Sequence, residues 1–155
     1  MLPRSSASPI NPEDCNLARA IEKIGDRWTL LILRSALYGV RRFDDFSDEL
    51  GAPRSVLSAR LKGLVAVGIL RKSTYKAYGQ RARPEYVLTE MGLGLRPILI
   101  ALNQWGDKWM GGDEQPLIHY VSALNRTPVK AGFIDGQGQS TPPESLRGVL
   151  RKPCL

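Results

Sequence analysis

Residues 43–68 constrain the fold more than any other stretch, and they read FDDFSDELGAPRSVLSARLKGLVAVG. The pattern predicts a helix at about 43–50, a turn at 51–53, and a second helix at about 54–67. Pro53 fits the first position of that second helix. One side of the second helix is an apolar stripe formed by Leu57, Leu61 and Leu64. Two short helices joined by a tight turn are typical of a helix–turn–helix unit.

The face of the second helix opposite the leucines carries small, polar or basic side chains and no carboxylate. Its members are Ser55, Ser58, Ala59 and Lys62, and Arg54 and Arg60 flank them. A helix with one buried side can lay such a face in the major groove of DNA, so we expect this helix to be the recognition helix. No Arg or Asn points squarely from the face, so we expect direct base readout to be modest and DNA shape to add specificity.

The distribution of charge favours a polyanionic partner. The formal net charge is +7 and the sequence pI is about 9.7, values that an ordinary soluble surface can also have. Residues 71–83 contain five basic side chains and no acidic one. Residues 43–50 contain four acids. Two of these acids lie in the first helical turn, where negative charge suits the helix dipole, so the cluster does not require a catalytic role.

Two more helices are predicted before the helix–turn–helix. The first covers about 16–24, and the second covers about 27–38 with Asp26 as its N-cap. The second is apolar on most sides, so we expect it to be the central buried helix, with Trp28 packed in the core. Residues 40–42 form a short connector that can make a brief β-bridge.

After the recognition helix the periodicity changes and predicts a β-hairpin. Its strands cover about 69–75 and 84–88, and a basic tip, KAYGQRAR, joins them. We interpret the hairpin, about 71–87, as a wing that grips DNA phosphates, and a solubilising loop is the alternative. The side chains expected to hold the DNA backbone are Arg42, before the third helix, and Lys76, Arg81 and Arg83, on the wing.

A last helix is predicted at about 90–110, with Thr89 as its cap and a kink at Pro97. Its apolar side chains recur at a heptad-like spacing: Leu95, Ile98, Leu102, Trp105 and Trp109. This seam exceeds what a small domain needs for its own core. We therefore expect a homodimer interface, to which Leu17 and Ile21 of the first helix also contribute. The alternative is an intramolecular strut.

The two ends of the chain differ in composition from the domain at 14–110. Residues 1–13 predict a disordered leader, and residues 111–155 predict an appendage with short strands at about 117–121 and 129–134 and a loose tail. The two cysteines have neither disulfide nor zinc spacing, which fits a reducing cytoplasm. No secretory signal or membrane span is visible. The expected fold class is therefore α+β, mostly α.

Five blocks of sequence match, in order, the motifs of one family. They are Cys15 followed by IGDRWTLLIL at 24–33, GVRRFDDF at 39–46, VLSARLKGLVAVGIL at 56–70, EYVLTEMG at 85–92, and WG at 105–106. On these blocks residues 13–110 resemble the HxlR family of bacterial winged helix–turn–helix transcriptional regulators. The resemblance implies a homodimer that binds a two-fold-symmetric operator in double-stranded DNA and controls nearby genes.

The resemblance also implies roles for residues near both ends. Some members use the cysteine at the position of Cys15 as a redox sensor for an oxidant or electrophile effector; a small buried helix residue is the alternative. Many members have Pro after this cysteine, where this chain has Asn16. Some related regulators end in a small zinc ribbon. Here its cysteines are absent, Ser122 stands in place of the first, and a lone His119 cannot hold zinc. We therefore expect a metal-free ribbon and no cofactor.

Two other functional classes compete with DNA binding. One is a redox- or ligand-responsive interaction protein in which DNA binding is secondary, with a pocket lined by Trp28, Trp105 or Trp109. The other is an enzyme. It is disfavoured because the chain has one histidine and no glycine-rich phosphate loop after a strand.

Overall fold

The computed structural model describes residues 12–75, 83–112 and 115–149 of the 155-residue chain. The chain divides into two compact units, one ending at Arg96 and one beginning at Pro97. The elements are α1 Asn16–Ile24, α2 Arg27–Leu37, α3 Phe43–Leu50, α4 Arg54–Ala66, β1 Leu70–Tyr75, β2 Arg83–Leu88, α5 Glu90–Leu93, α6 Arg96–Met110, β3 Phe133–Ile134 and β4 Ser140–Thr141. Short 3-10 helices span Pro12–Asp14 and Pro143–Ser145. No helix in the described part of the chain is long and apolar enough to cross a membrane.

The core of the first unit lies where α2, α3, α4 and the base of the hairpin meet. Its buried apolar residues are Ile32, Leu33, Phe46, Ala52, Leu57, Leu61, Leu64, Ile69, Leu70 and Tyr86. Fully burying one large aliphatic or aromatic side chain contributes about 1.5–3 kcal/mol, so this cluster dominates the stability of the unit. Trp28 was expected in this core, but it is only half-buried, and the Arg27 guanidinium lies 4.9 Å from its ring centroid.

Helix α2 begins at a side-chain cap and is tied to α3 by a polar contact. The Asp26 carboxylate accepts the backbone N–H groups of Trp28 and Thr29, each at 3.1 Å, which confirms the predicted N-cap. On the α3 side, Glu49 accepts hydrogen bonds from the Arg34 guanidinium at 3.0 Å and from the Ser35 hydroxyl at 2.7 Å.

Strands β1 and β2 form an antiparallel hairpin whose register runs from Leu70 opposite Leu88 to Tyr75 opposite Arg83. The predicted connector bridge is confirmed, because Arg42 pairs with Glu85 of β2. The tip of the hairpin, residues 76–82, lies outside the described residues.

The prediction of one continuous helix at 90–110 is wrong. Helix α5 ends at Leu93 and α6 begins at Arg96. Gly94 donates its N–H to the Glu90 carbonyl and closes the short helix. Pro97 has no N–H to donate, and it lies in the first turn of α6, where no such donor is required. The chain therefore starts a new helix here instead of kinking an old one.

Thr89 fixes the start of α5 and the end of the loop after α4. Its hydroxyl accepts the Gly92 N–H at 3.2 Å and donates to the Gly68 carbonyl at 2.6 Å. Thr89 also donates its own N–H to the Ile69 carbonyl at 3.1 Å. A Cβ atom at Gly92 would collide with the same Ile69 carbonyl oxygen, so only glycine fits there.

The second unit consists of α6 from Pro97 onwards and the segment that follows this helix. The predicted strand at 117–121 is reduced to an isolated bridge between Val121 and Pro128, and of the predicted strand at 129–134 only Phe133–Ile134 pairs, with β4. The backbone at 129–131 instead bonds to the side chain of Gln104. The Gln104 amide NH₂ donates to the Val129 carbonyl at 2.9 Å, and its amide oxygen accepts the Ala131 N–H at 2.8 Å.

The turn between β3 and β4 is built around a carboxylate. Asp135 accepts the backbone N–H groups of Gln139 and Gln137, at 3.0 and 2.8 Å, and these bonds hold the pKa of its carboxyl below the usual value. The tail that was predicted to be loose contains the 3-10 helix at Pro143–Ser145.

Candidate nucleic-acid interface

The two faces of α4 lie as the periodicity predicts. Leu57, Leu61 and Leu64 are buried against the rest of the first unit. On the opposite face Ser55, Ala59 and Lys62 are exposed and Ser58 is half-buried. The structure therefore gathers the four proposed base-reading residues on one strip of the surface. Among the described residues, no ion pair involves Lys62.

The turn that leads into α4 depends on one glycine. Gly51 has φ = 59°, a left-handed conformation that glycine adopts without strain, and its N–H donates to the Ser47 carbonyl at 3.0 Å. Pro53 was expected inside the helix at its first position, but it is the N-cap residue. Because proline has no side-chain acceptor, the first amides of α4 have no side-chain cap. That end of the helix carries positive dipole charge on the exposed surface.

Both arginines that were expected to flank the α4 face are paired with carboxylates, and Arg60 lies beside the leucine stripe and does not flank the face. The Arg54 guanidinium lies 3.3 Å from an oxygen of Asp44 and 4.7 Å from the Phe43 ring centroid. Arg60 makes a bidentate contact with Asp26, with Nε 3.0 Å from Oδ1 and a terminal nitrogen 3.1 Å from Oδ2. The acids were interpreted from sequence only as a cap and as helix-dipole partners. Their pairing with arginines 34 and 10 residues away had no sequence signal.

The basic residues of the wing are only partly described. Arg83, Arg71 and Lys72 are exposed on the two strands, so the hairpin carries positive charge along its length. Lys76 and Arg81 lie outside the described residues. Arg42 is half-buried at the N-cap of α3, where it bridges to β2. Arg83 thus lies on β2, and Arg42 lies beside that strand through its bridge to Glu85.

Both helices with a predicted dimer seam leave apolar side chains exposed. On α1 these are Leu17 and Ile21, and on α6 they are Ile98, Leu102, Trp105 and Trp109. Leu95 precedes α6 and is half-buried. No residue of α1 or α6 is fully buried.

The residues considered for sensing and for ligand binding lie elsewhere. Cys15 is half-buried at the N-cap position of α1. A cavity of about 710 Å³ in the second unit is lined by α6 residues such as Asp107 and by segments 116–121 and 128–131. None of the three tryptophans proposed for a pocket lines it. Within the described ranges, no three His, Cys, Asp or Glu side chains converge to hold a metal ion.

Relatives in sequence are named as helix–turn–helix (HTH) regulators. An uncharacterized HTH-type transcriptional regulator of Mycobacterium tuberculosis is 46% identical over 103 residues, which are 66% of this chain and 64% of that protein. The aligned part is thus just under two thirds of the relative's length. An uncharacterized HTH-type transcriptional regulator of Synechocystis is 31% identical over 97 residues, 62% of this chain and 70% of that protein.

Solved structures share the fold. PA1607, described as a candidate transcription factor, is 32% identical with a TM-score of 0.76, covering 89% of this chain and 95% of that one. The reduced form of the redox regulator HypR is 26% identical with a TM-score of 0.55, covering 61% of this chain and 92% of that one. These structural neighbours confirm the winged-helix fold class.

The sequence blocks, the winged helix and these likenesses agree with one further match. The profile of the HxlR-like helix-turn-helix family covers residues 23–114, more than half of the chain. The chain therefore belongs to the HxlR-like helix-turn-helix family of transcriptional regulators.

Proposed function

We propose that this chain is a sequence-specific DNA-binding transcriptional regulator that acts as a homodimer. Helix α4 lies in the major groove, and the β1–β2 hairpin lies on phosphates or in the minor groove. The observation that carries the proposal is the exposed, carboxylate-free face of α4 opposite three buried leucines. A helix held in this way can enter a groove without losing its packing. Membership in a family of HTH regulators supports the same function.

The residues on α4 define what this helix can read. Lys62 can donate to guanine or to a phosphate, the Ala59 methyl group can contact a thymine methyl group, and Ser55 and Ser58 can donate or accept. Such short side chains discriminate bases weakly. The remaining specificity then comes from the width and deformability of the DNA.

Basic side chains from several elements contact the DNA backbone in this proposal. Arg83 approaches from β2, and Arg42 approaches from the N-cap of α3, which is bridged to β2. Arg54 approaches from the start of α4, and Lys76 and Arg81 belong to the hairpin tip. Each phosphate neutralised releases counterions, so each contact adds about 0.9 to the slope of log affinity against log salt. Such contacts set the register of the protein on DNA but carry no direct sequence information.

The homodimer explains the apolar surface of α1 and α6. Large apolar side chains are left in water on both helices, and a second copy of the chain can cover them. Two-fold symmetry would present two recognition helices to half-sites about 34 Å apart, one turn of DNA.

The test is DNA binding by fluorescence anisotropy, with the intergenic DNA beside the protein's own gene and a scrambled duplex, at several salt concentrations. The wild type should prefer the intergenic DNA even at high salt. Arg81→Ala with Arg83→Ala should weaken both duplexes alike and lower the salt slope by about 0.9 per lost contact.

Lys62→Ala should instead change the ratio between the two duplexes. Lys130→Ala, which removes an exposed lysine of the second unit, is the matched control. Equal binding of both duplexes by the wild type at every salt concentration would contradict the proposed function.

A second candidate is a redox-responsive interaction protein in which DNA binding is secondary. The likeness to the redox regulator HypR favours it, together with the half-buried thiol at Cys15. If the thiol is the sensor, diamide should change the DNA affinity of the wild type and leave that of Cys15→Ser unchanged. An equal response in both proteins would remove Cys15 from the mechanism.

A further inference from the structure

Two arginines of α4 lie on either side of its buried stripe. At about 100° per residue, Arg54 and Arg60 each fall within about 70° of the centre of the leucine stripe, on opposite sides. Arg60 points about 150° away from the centre of the strip formed by Ser55, Ser58, Ala59 and Lys62, by the same helical geometry. It is therefore placed towards the scaffold, whereas Arg54 lies nearer to the exposed strip.

Arg60 binds Asp26 in a bidentate contact. Two nitrogens of its guanidinium meet the two oxygens of Asp26, at 3.0 and 3.1 Å. The same carboxylate accepts the first amides of α2, from Trp28 and Thr29. A planar guanidinium bound through two nitrogens has one orientation, which a single contact does not impose. The start of α2 and the middle of α4 are thus fixed to each other.

The Arg54 contact differs in each of these respects. It has one nitrogen 3.3 Å from Asp44, and its side chain is 68% exposed, compared with 45% for Arg60. Exposed single ion pairs contribute little and exchange readily with water or another anion. Arg54 can therefore leave Asp44 for a phosphate, whereas Arg60 would have to break two bonds and leave the Asp26 carboxylate behind.

We propose that Arg60 and Asp26 are a positioning pair that sets the rotation of α4 about its own axis, and that Arg60 does not contact DNA. The inference rests on the proposed function, since it assigns a role within DNA reading by α4. With a radius of about 5–6 Å including side chains, a rotation of about 20° moves a surface atom by about 2 Å. That displacement exceeds the tolerance of a hydrogen bond, so base contacts depend on the pair although neither residue makes one.

The test separates positioning from charge. Asp26→Asn keeps a good N-cap side chain for α2 but removes the ionic partner of Arg60. Arg60→Gln removes the other partner. The two changes alter the net charge in opposite directions, so simple electrostatics predicts opposite changes in DNA affinity. A positioning role predicts the same change in both, a loss of discrimination.

The experiment measures affinity for a duplex selected by the wild type from a random library and for a scrambled duplex of the same composition. Asp26→Asn, Arg60→Gln and the double variant should each lose about tenfold in discrimination, the size of one misplaced base contact. The three losses should be equal, because either single change already breaks the pair. The salt slope of Arg60→Gln on the scrambled duplex should match that of the wild type.

Arg54→Gln is the matched control, since it removes the same charge from the same helix. Its salt slope on the scrambled duplex should fall by about 0.9 per lost contact. A fall of that size in Arg60→Gln would overturn the inference, because Arg60 would then bind phosphate. Full discrimination in Asp26→Asn would overturn it as well. A wild type that selects no sequence is a different result, and it contradicts the proposed function itself.

Discussion

At the scale of single residues, Tyr86 shows how burial at the base of the wing changes an ionisable group. The residue is 8% exposed, and its backbone N–H donates to the Arg41 carbonyl at 2.8 Å. Burial disfavours the charged phenolate and raises the pKa of Tyr86 above the ordinary tyrosine value of 10.0. The folded state therefore holds this proton at pH values where the unfolded chain has released it.

The free energy of unfolding should accordingly fall as the pH rises above about 10. The contribution of Tyr86 is fully present below the pKa of the unfolded chain and is lost as the pH passes through the raised pKa of the folded state. Urea denaturation at a series of pH values measures this, and Tyr86→Phe is the comparison. The part of the decline that Tyr86 causes should disappear in Tyr86→Phe; identical pH profiles would contradict the assignment.

Two glycines of the first unit should respond in opposite ways to alanine. At Gly92 a Cβ would collide with the backbone carbonyl of Ile69, whereas at Gly63, inside α4, it would meet nothing within 4 Å. Gly92→Ala should lower the free energy of unfolding by about 1–3 kcal/mol, and Gly63→Ala should raise it by up to about 1 kcal/mol. Chemical denaturation measures the free energy of unfolding of both variants. An unchanged value in Gly92→Ala would show that α5 and the Ile69 carbonyl can move apart to admit a Cβ atom.

At the scale of elements, the bounds of α1 to α4 are read well from the sequence, because local signals mark them. Gly25, Gly39 and Gly51 punctuate the helices, and Asp26 caps one of them. Periodicity likewise separates the buried and exposed faces of α4. Helix caps and periodicity depend on residues that are close together in the chain, so they can be recognised from the sequence alone.

The features that the sequence did not predict depend on residues far apart in the chain, or on several local signals that indicate different structures. The pairs Arg60–Asp26 and Arg54–Asp44 join residues that only the fold brings together. The break before α6 was placed at Pro97 as a kink, but the closure of α5 at Gly94 separates two helices. The strands predicted after residue 115 were too long, since of them only Phe133–Ile134 pairs in a sheet and Gln104 binds the backbone at Val129 and Ala131 instead.

At the scale of the whole molecule, the exposed apolar side chains of α6 allow the proposed homodimer to be tested by mutation. Leu102 lies in the middle of the α6 seam and is exposed. Leu102→Glu should convert the proposed dimer into a monomer, because a carboxylate would then be buried without a partner. Sedimentation velocity at several concentrations measures the effect.

The control for association is Leu124→Glu in the second unit. Leu124 is 97% exposed and is not in the proposed interface, so this variant changes charge and hydrophobicity equally but should leave the dimer intact. Dissociation by both variants, or by neither, would contradict the assignment of the interface to the α6 seam.

The junction at Thr89 has a consequence for how the hairpin tolerates changes in length. Its hydroxyl and N–H bind the chain just after α4, at Gly68 and Ile69, so the hairpin leaves and returns to the same point. A loop closed at its base can grow or shrink without shifting what lies on either side, and doubling its length costs only about 0.6 kcal/mol. A change in the length of the segment between the two strands should therefore cost little stability and leave the helical scaffold fixed.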